Sequence, residues 1–229
     1  MIPLHDDNPT RIKPVVTIGL IVICTIAFLW QISLGSRFEQ AVYSFGAIPA
    51  VIFGSKTLPA TLQIVPPWTT VLTSMFMHGG WLHLIGNMLY LWIFGNNVED
   101  AMGHARFVVF YLLCGVIAFL AQSLPAPEST IPMVGASGAI SGVLGAYLLL
   151  YPHARVLVLI PLGFFLYTAR LTAGWVLAFW FILQIISSAV TATQQGGVAF
   201  GAHIGGFVAG MVLIPLFKYK SRSLFARRR

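Results

Sequence analysis

Charge is what this sequence has least of. Only 8% of its 229 residues are Asp, Glu, Lys or Arg, against about 25% in an ordinary soluble domain. A disordered chain would be polar and charge-rich, so that class is excluded. A soluble globule is nearly excluded too, because 13 basic and six acidic side chains cannot clothe its surface. Cysteine is equally scarce: Cys24 and Cys114 each lie inside an apolar run, with no disulfide or metal-ligand spacing, and read as packing residues. No internal repeat or low-complexity segment is visible, which gives an inverted-repeat transporter little support. Alternating apolar and polar stretches are also missing, which argues against a β-barrel.

What fills the chain instead is apolar sequence, 58% of the whole. Runs of about 20 apolar residues recur, the length needed to cross the hydrocarbon core as a helix. The expectation is an all-α, polytopic membrane protein of six transmembrane helices, built as a single domain over 1–229. The spans read as 14–34, 79–96, 106–124, 135–151, 171–190 and 200–217. The first is longer than a signal-peptide core and lacks a cleavage site, so it reads as retained. A further apolar piece, Val156 to Thr168, carries Pro161 and Gly163 and is bracketed by Arg155 and Arg170. Its length suits an interfacial or re-entrant segment better than a seventh crossing.

Charge then orients the chain. The net charge of +7 could suggest nucleic acid, but its distribution points to membrane lipid. Lys218, Lys220, Arg222, Arg227, Arg228 and Arg229 form a basic tail (218–229) directly after the last span, the pattern of a cytoplasmic anchor on anionic lipid. With six spans and residues 1–13 in the cytoplasm, Arg11, Lys13, Arg106, Arg155 and Arg170 join that tail inside. Only Arg37 and Lys56 fall outside, so both termini are expected in the cytoplasm. The long, proline-broken connection from Gly35 to His78 lies outside, partly in the interface, with Trp68 and Trp81 suited to headgroup level.

Polar groups inside the spans are costly and therefore informative. His83 and Asn87 are four apart and share one helix face. Ser137 opens span 4 within GASGAISG, and His203 sits in AHIGGFVAG of span 6. Gly138, Gly142 and Gly145 in one helix, and Ala202, Gly206 and Gly210 in the other, form small-residue faces that allow close backbone approach. Spans 4 and 6 are thus expected to be neighbours, with Ser137 and His203 in reach of each other. Spans 2, 4 and 6 all enter from outside. The four residues then fall at one depth, roughly 3–12 Å below the outer end at 1.5 Å per residue. Singly, each reads as a packing or structural residue; His78, His104 and His153 lie near span ends and read as interfacial. As a set at one level, the four read as an active site.

These segments resemble the rhomboid family of intramembrane serine proteases. The resemblance rests on MHGGWLHLIGNMLYLWIFG with His78, His83 and Asn87, on GASG around Ser137, on AHIGGFVAG around His203, and on Glu99, Gly103, Arg106 and Phe107 in EDAMGHARF. It implies a six-helix bundle of rhomboid type, with Ser137 as nucleophile, His203 as its base, and His83 and Asn87 at the oxyanion. One departure is Ser141, where some rhomboids place an aromatic ring stacked on the catalytic histidine.

The chemistry agrees. Serine needs a neighbouring base to become a nucleophile, and the tetrahedral oxyanion needs preorganised donors. No Asp or Glu lies well inside any span, so a Ser–His dyad is expected, with no buried third acid. No metal and no cofactor are expected. Transmembrane protein substrates would enter sideways from lipid and unwind locally before cleavage. Span 5 and the loop Gln194 to Gly197 read as candidate moving parts. The expected location is a bacterial inner membrane. A channel, an inactive rhomboid-like client binder and a lipid-directed serine hydrolase are the alternatives. The first predicts polar residues along the full depth, the second loss of Ser or His, and the dyad alone does not separate the third.

Overall fold

A computed structural model describes residues 1–191 and 199–225. The loop Gln194 to Gly197 and the arginines Arg227, Arg228 and Arg229 lie outside the described residues. The architecture is mostly helical, with a small antiparallel sheet at one end. Helix α1 spans Val15–Ser33, α2 Trp81–Tyr90, α3 His104–Ser123, α4 Ser137–Leu150, α5 Ala173–Thr191 and α6 Phe200–Phe217. Among the described residues, four helices are long and apolar enough to cross a membrane: Val15–Ser33, His104–Ser123, Ala173–Val190 and Phe200–Phe217. Helix α4 has only 14 residues, about 21 Å at 1.5 Å per residue, short of a roughly 30 Å hydrocarbon core.

Helix α2 does not stop where hydropathy ends. It passes through a π-helical turn, Leu91–Gly95, into the helix Asn96–Met102. That extension carries two acids into the protein interior, where each accepts backbone N–H groups of the N-terminal segment. Glu99, fully buried, accepts hydrogen bonds from the N–H groups of Val16 and Thr17 and from the Thr17 hydroxyl, at 2.7–2.9 Å. These are first-turn donors of α1, which have no partner within their own helix. Asp100 accepts from the N–H groups of Arg11 and Ile12 at 2.9 and 3.0 Å and pairs with the Arg222 guanidinium. Gly103 then ends the helix at φ 83°, a left-handed conformation that suits glycine.

The all-α expectation needs correction. Val156 to Thr168 is neither a span nor a re-entrant helix but most of a β-hairpin. Strands β1 (Ile2–Asp6), β2 (Arg155–Leu162) and β3 (Phe165–Thr172) form an antiparallel sheet in the order β1-β2-β3. The segment alternates: Val156 and Val158 are buried while their neighbours are less so. Gly163, at φ 62°, takes the first central position of the two-residue turn between Leu162 and Phe165, where a positive φ matches the twist of the strands. Pro161 is tolerated because β1 pairs no further along β2 than Leu159, which leaves that stretch an edge. The N-terminal segment assigned to 1–13 thus contributes a strand, and its Asp6 carboxylate accepts a 2.6 Å hydrogen bond from the buried Tyr147 hydroxyl of α4.

The core is built around α4. Aromatic side chains Phe94, Phe107, Phe110, Tyr111 and Tyr147 are fully buried there, and Cys24 and Cys114 are buried without a disulfide. Against α6, the backbones themselves touch. A Cβ on Gly206 would overlap the carbonyl oxygen of Gly138, and one on Gly210 would overlap that of Gly142. Spans 4 and 6 are neighbours through their small residues, as the spacing required.

Candidate active site

Ser137 is the first residue of α4, and His203 lies in the first turn of α6. The glycine contacts that pull these helices together bring His203 Nε2 to 2.8 Å from Ser137 Oγ. The start of α6 is held by Gln122 of α3, whose Oε1 accepts the Ala202 N–H at 3.2 Å. Such a pair can move a proton from the hydroxyl to an unprotonated imidazole nitrogen.

His83 and Asn87 reach the same place from α2, by way of Gly135. That glycine has φ 124°, and its backbone is fixed by the Gly135 N–H donating to the Ser74 carbonyl at 2.9 Å. A Cβ on Gly135 would sit 2.7 Å from His83 Cε1 and Nε2 and 3.6 Å from Asn87 Nδ2. Both side chains therefore converge on the backbone two residues before Ser137. The Gly79 N–H donates to His83 Nδ1 at 3.3 Å, which leaves Nε2 as the nitrogen that carries the proton. Asn87 is buried, and its Nδ2 has no hydrogen-bond partner among the described residues. Two N–H donors thus point toward the strand of backbone that leads into Ser137. A cleft lined by Ser74, Val134, Gly135, Ser137, Gly138 and Ala202 opens beside the hydroxyl.

The structure brings all four sequence-derived residues into one cluster and departs from the sequence reading around it. His78 is not interfacial: it is fully buried, with its ring edge-on to His83 at 5.2 Å. Its backbone is clamped by Gln31 of α1, which donates to the His78 carbonyl at 3.1 Å and accepts its N–H at 3.0 Å. Ser141 offers no ring to His203; its hydroxyl instead donates to the Ser137 carbonyl at 2.7 Å. The aromatic neighbour comes from α5, where the Trp180 ring lies 5.9 Å from His203 at 37°. One turn on, Gln184 Oε1 lies 2.8 Å from His203 Nδ1. Sequence reasoning passed over Gln184 and Gln31, although both are amides inside apolar runs and the cost of burying them was the available signal.

A rhomboid domain model matches residues 66–220, more than half of the chain and all four clustered residues. The chain belongs to the rhomboid family. Among its relatives, rhomboid-like protein 11, chloroplastic, of Arabidopsis thaliana is 30% identical over 168 residues, covering 69% of this chain and 56% of that protein. Rhomboid protein 1, mitochondrial, of Saccharomyces cerevisiae is 28% identical over 192 residues, covering 76% and 52%. Rhomboid protease GluP of Bacillus subtilis is 28% identical over 217 residues, covering 94% and 37%. The matched regions span about half or less of these relatives' own lengths. The cluster of Ser137, His203, His83 and Asn87 therefore sits within a rhomboid domain.

Proposed function

We propose that this rhomboid is an intramembrane serine endopeptidase that hydrolyses peptide bonds in or near transmembrane segments of other membrane proteins. The observation that carries the reading is the 2.8 Å contact of His203 Nε2 with Ser137 Oγ, beside the two amide and imidazole donors near Gly135. In this mechanism His203 takes the Ser137 proton as Oγ attacks the scissile carbonyl carbon. His83 Nε2–H, Asn87 Nδ2–H and the Ser137 N–H hold the oxyanion. The C–N bond breaks as His203 returns the proton to the leaving amine, giving an acyl-serine. Water, deprotonated by His203, attacks the ester, and the second product leaves with Ser137 reprotonated. Two relatives are named rhomboid proteases, GluP and the putative YdcA of Bacillus subtilis, which supports a proteolytic activity in the family.

Six crossings remain our proposed topology, with α2 and α4 added to the four long apolar helices and both ends of the chain in the cytoplasm. Ser137 heads a 14-residue helix, which suits a nucleophile set below the outer surface where water can reach it. A bacterial inner membrane is the proposed setting; relatives come from a bacterium, a mitochondrion and a chloroplast. The test is labelling of the purified full chain by a fluorophosphonate probe, alongside cleavage of a single-span membrane substrate. Wild type should label at Ser137 and cleave. Ser137→Ala should do neither, and His203→Ala should lose about 10³-fold or more in cleavage. Substantial cleavage by either variant sinks the assignment, and labelling with hydrolysis of lipid esters alone would reassign the substrate.

A further inference from the structure

We infer that Gln184 is a positioning residue that selects the tautomer of His203, in the place where soluble serine proteases put a carboxylate. The inference rests on the serine-protease reading above and names a third partner for its base. His203 Nδ1 lies 2.8 Å from Gln184 Oε1. Which atom of the amide faces the ring is settled by its other end: Gln184 Nε2 donates to the Trp180 carbonyl one turn back, at 3.4 Å. The carbonyl oxygen is thereby turned to the imidazole, and an amide oxygen only accepts. Nδ1 must then carry the hydrogen, and the lone pair of Nε2 faces the Ser137 hydroxyl at 2.8 Å. The opposite tautomer would set the Nδ1 lone pair against the amide oxygen and leave Nε2 unable to take the serine's proton.

Among the described residues, Gln184 is the acceptor placed against Nδ1. The chain's six acids are Asp6, Asp7, Glu39, Glu99, Asp100 and Glu128, none of them on α4, α5 or α6. Ser141, one turn after Ser137, spends its hydroxyl on the Ser137 carbonyl. Trp180 and Phe200 pack against the ring at 5.9 and 6.3 Å but offer Nδ1 no acceptor. A neutral amide also fixes the ring without burying a second charge in an apolar bundle, where an unpaired carboxylate is costly. Because Trp180 and Gln184 both ride on α5, the tautomer is set only while α5 packs against α6. Phe181 stacked on Phe207 at 4.4 Å is part of that packing.

The experiment uses the purified full chain with Gln184→Leu, Gln184→Met and Gln184→Glu. Leu removes the acceptor and Met leaves only a weakly accepting thioether sulfur, so kcat should fall about tenfold or more in Leu, the worth of at least one ordinary hydrogen bond, and nearly as far in Met, with KM little changed. Fluorophosphonate labelling of Ser137 should slow in parallel. Glu restores an acceptor oxygen and should recover most of the rate. Nitrogen NMR of labelled histidine should find His203 Nδ1 protonated in wild type and a mixture of tautomers in Gln184→Met. Should Gln184→Leu fail to fold, the Met and Glu pair carries the comparison. Equal rates for Met, Glu and wild type, or an unprotonated Nδ1 in wild type, overturns the inference. A wild-type chain that does not label at Ser137 at all overturns the protease reading instead.

Discussion

Gly135 shows how one missing methyl group can govern two other residues. Its φ of 124° is strained for any L side chain, and a Cβ there would press on the His83 ring at 2.7 Å. Gly135→Ala should therefore reduce activity about as much as losing a donor, about 10²-fold, while Ser137 and His203 stay intact. Steady-state kinetics on a detergent-solubilised substrate, with far-UV circular dichroism as a check on folding, tests this. His83→Ala and Asn87→Ala should each cost a similar 10²-fold or so, because the Ser137 N–H still serves the oxyanion. Wild-type kcat in both would move the donor role elsewhere. At this scale the sequence was most informative where polar atoms interrupt apolar runs. The same signal was present at Gln184 and Gln31. It is weaker because a long amide can bond within its own helix, so its partner is decided only by packing.

Between elements, the contact of α4 with α6 revises an intuition that small substitutions are mild. The Cβ of an alanine at Gly206 would already overlap the Gly138 carbonyl oxygen, and backbone cannot swing aside as a side chain can. Gly206→Ala and Gly206→Leu should both lose activity and thermal stability, whereas Gly86→Ala, which meets nothing within 4 Å, should be tolerated. Equal tolerance at the two glycines would place the helices further apart than described. The sheet makes a second prediction. Burial raises the Asp6 carboxyl above its ordinary range, and the hydrogen bond from Tyr147 only partly offsets it. As pH rises, the unfolded chain then loses this proton first. The stability tied to protonated Asp6 is full below the unfolded carboxylate value and is lost as pH climbs through the raised folded value. Asp6→Asn should flatten that part of a melting-temperature profile; an unchanged slope would place Asp6 in water. The hairpin itself was ambiguous in the sequence because a short apolar run fits a strand or a buried helix equally well. The β-branched Val156 and Val158 with Gly163 were its legible signs, and the pairing with β1 depends on residues at the far end of the chain, Ile2 to Asp6.

For the molecule as a whole, the four long apolar helices were readable because hydropathy reports the solvent each helix meets. The capping of α1 by Glu99 was not, since nothing local to either segment announces it. That carboxylate also lies 2.6 Å from His104 Nδ1. Glu99→Ala would orphan the Val16 and Thr17 donors, at about 1–3 kcal/mol for each buried group left unpaired. A clear drop in thermal stability is expected, with Glu99→Gln milder because it keeps an acceptor. Orientation has its own check: an alkaline phosphatase fused after Phe225 should be inactive in a bacterial host and a fluorescent protein there bright. The opposite result would put the basic tail outside.

The π turn at Leu91–Gly95 has a consequence for how the two ends of that helix are timed. A π turn holds one residue more than an α turn, so everything beyond it is set back by about 100° around the axis relative to an unbroken α-helix. His83 and Asn87 lie on one side of this turn, Glu99 and Asp100 on the other. The turn acts as a phase shifter: it lets one continuous helix aim its upper face at Ser137 and its lower face at the N-terminus of α1. Inserting a further residue there, beside the half-exposed Trp92, would turn the two faces about 100° out of step. Such an insertion should cost the chain either its donors or its cap though no functional side chain is lost, whereas deleting one residue should let a regular α-helix keep both faces in phase.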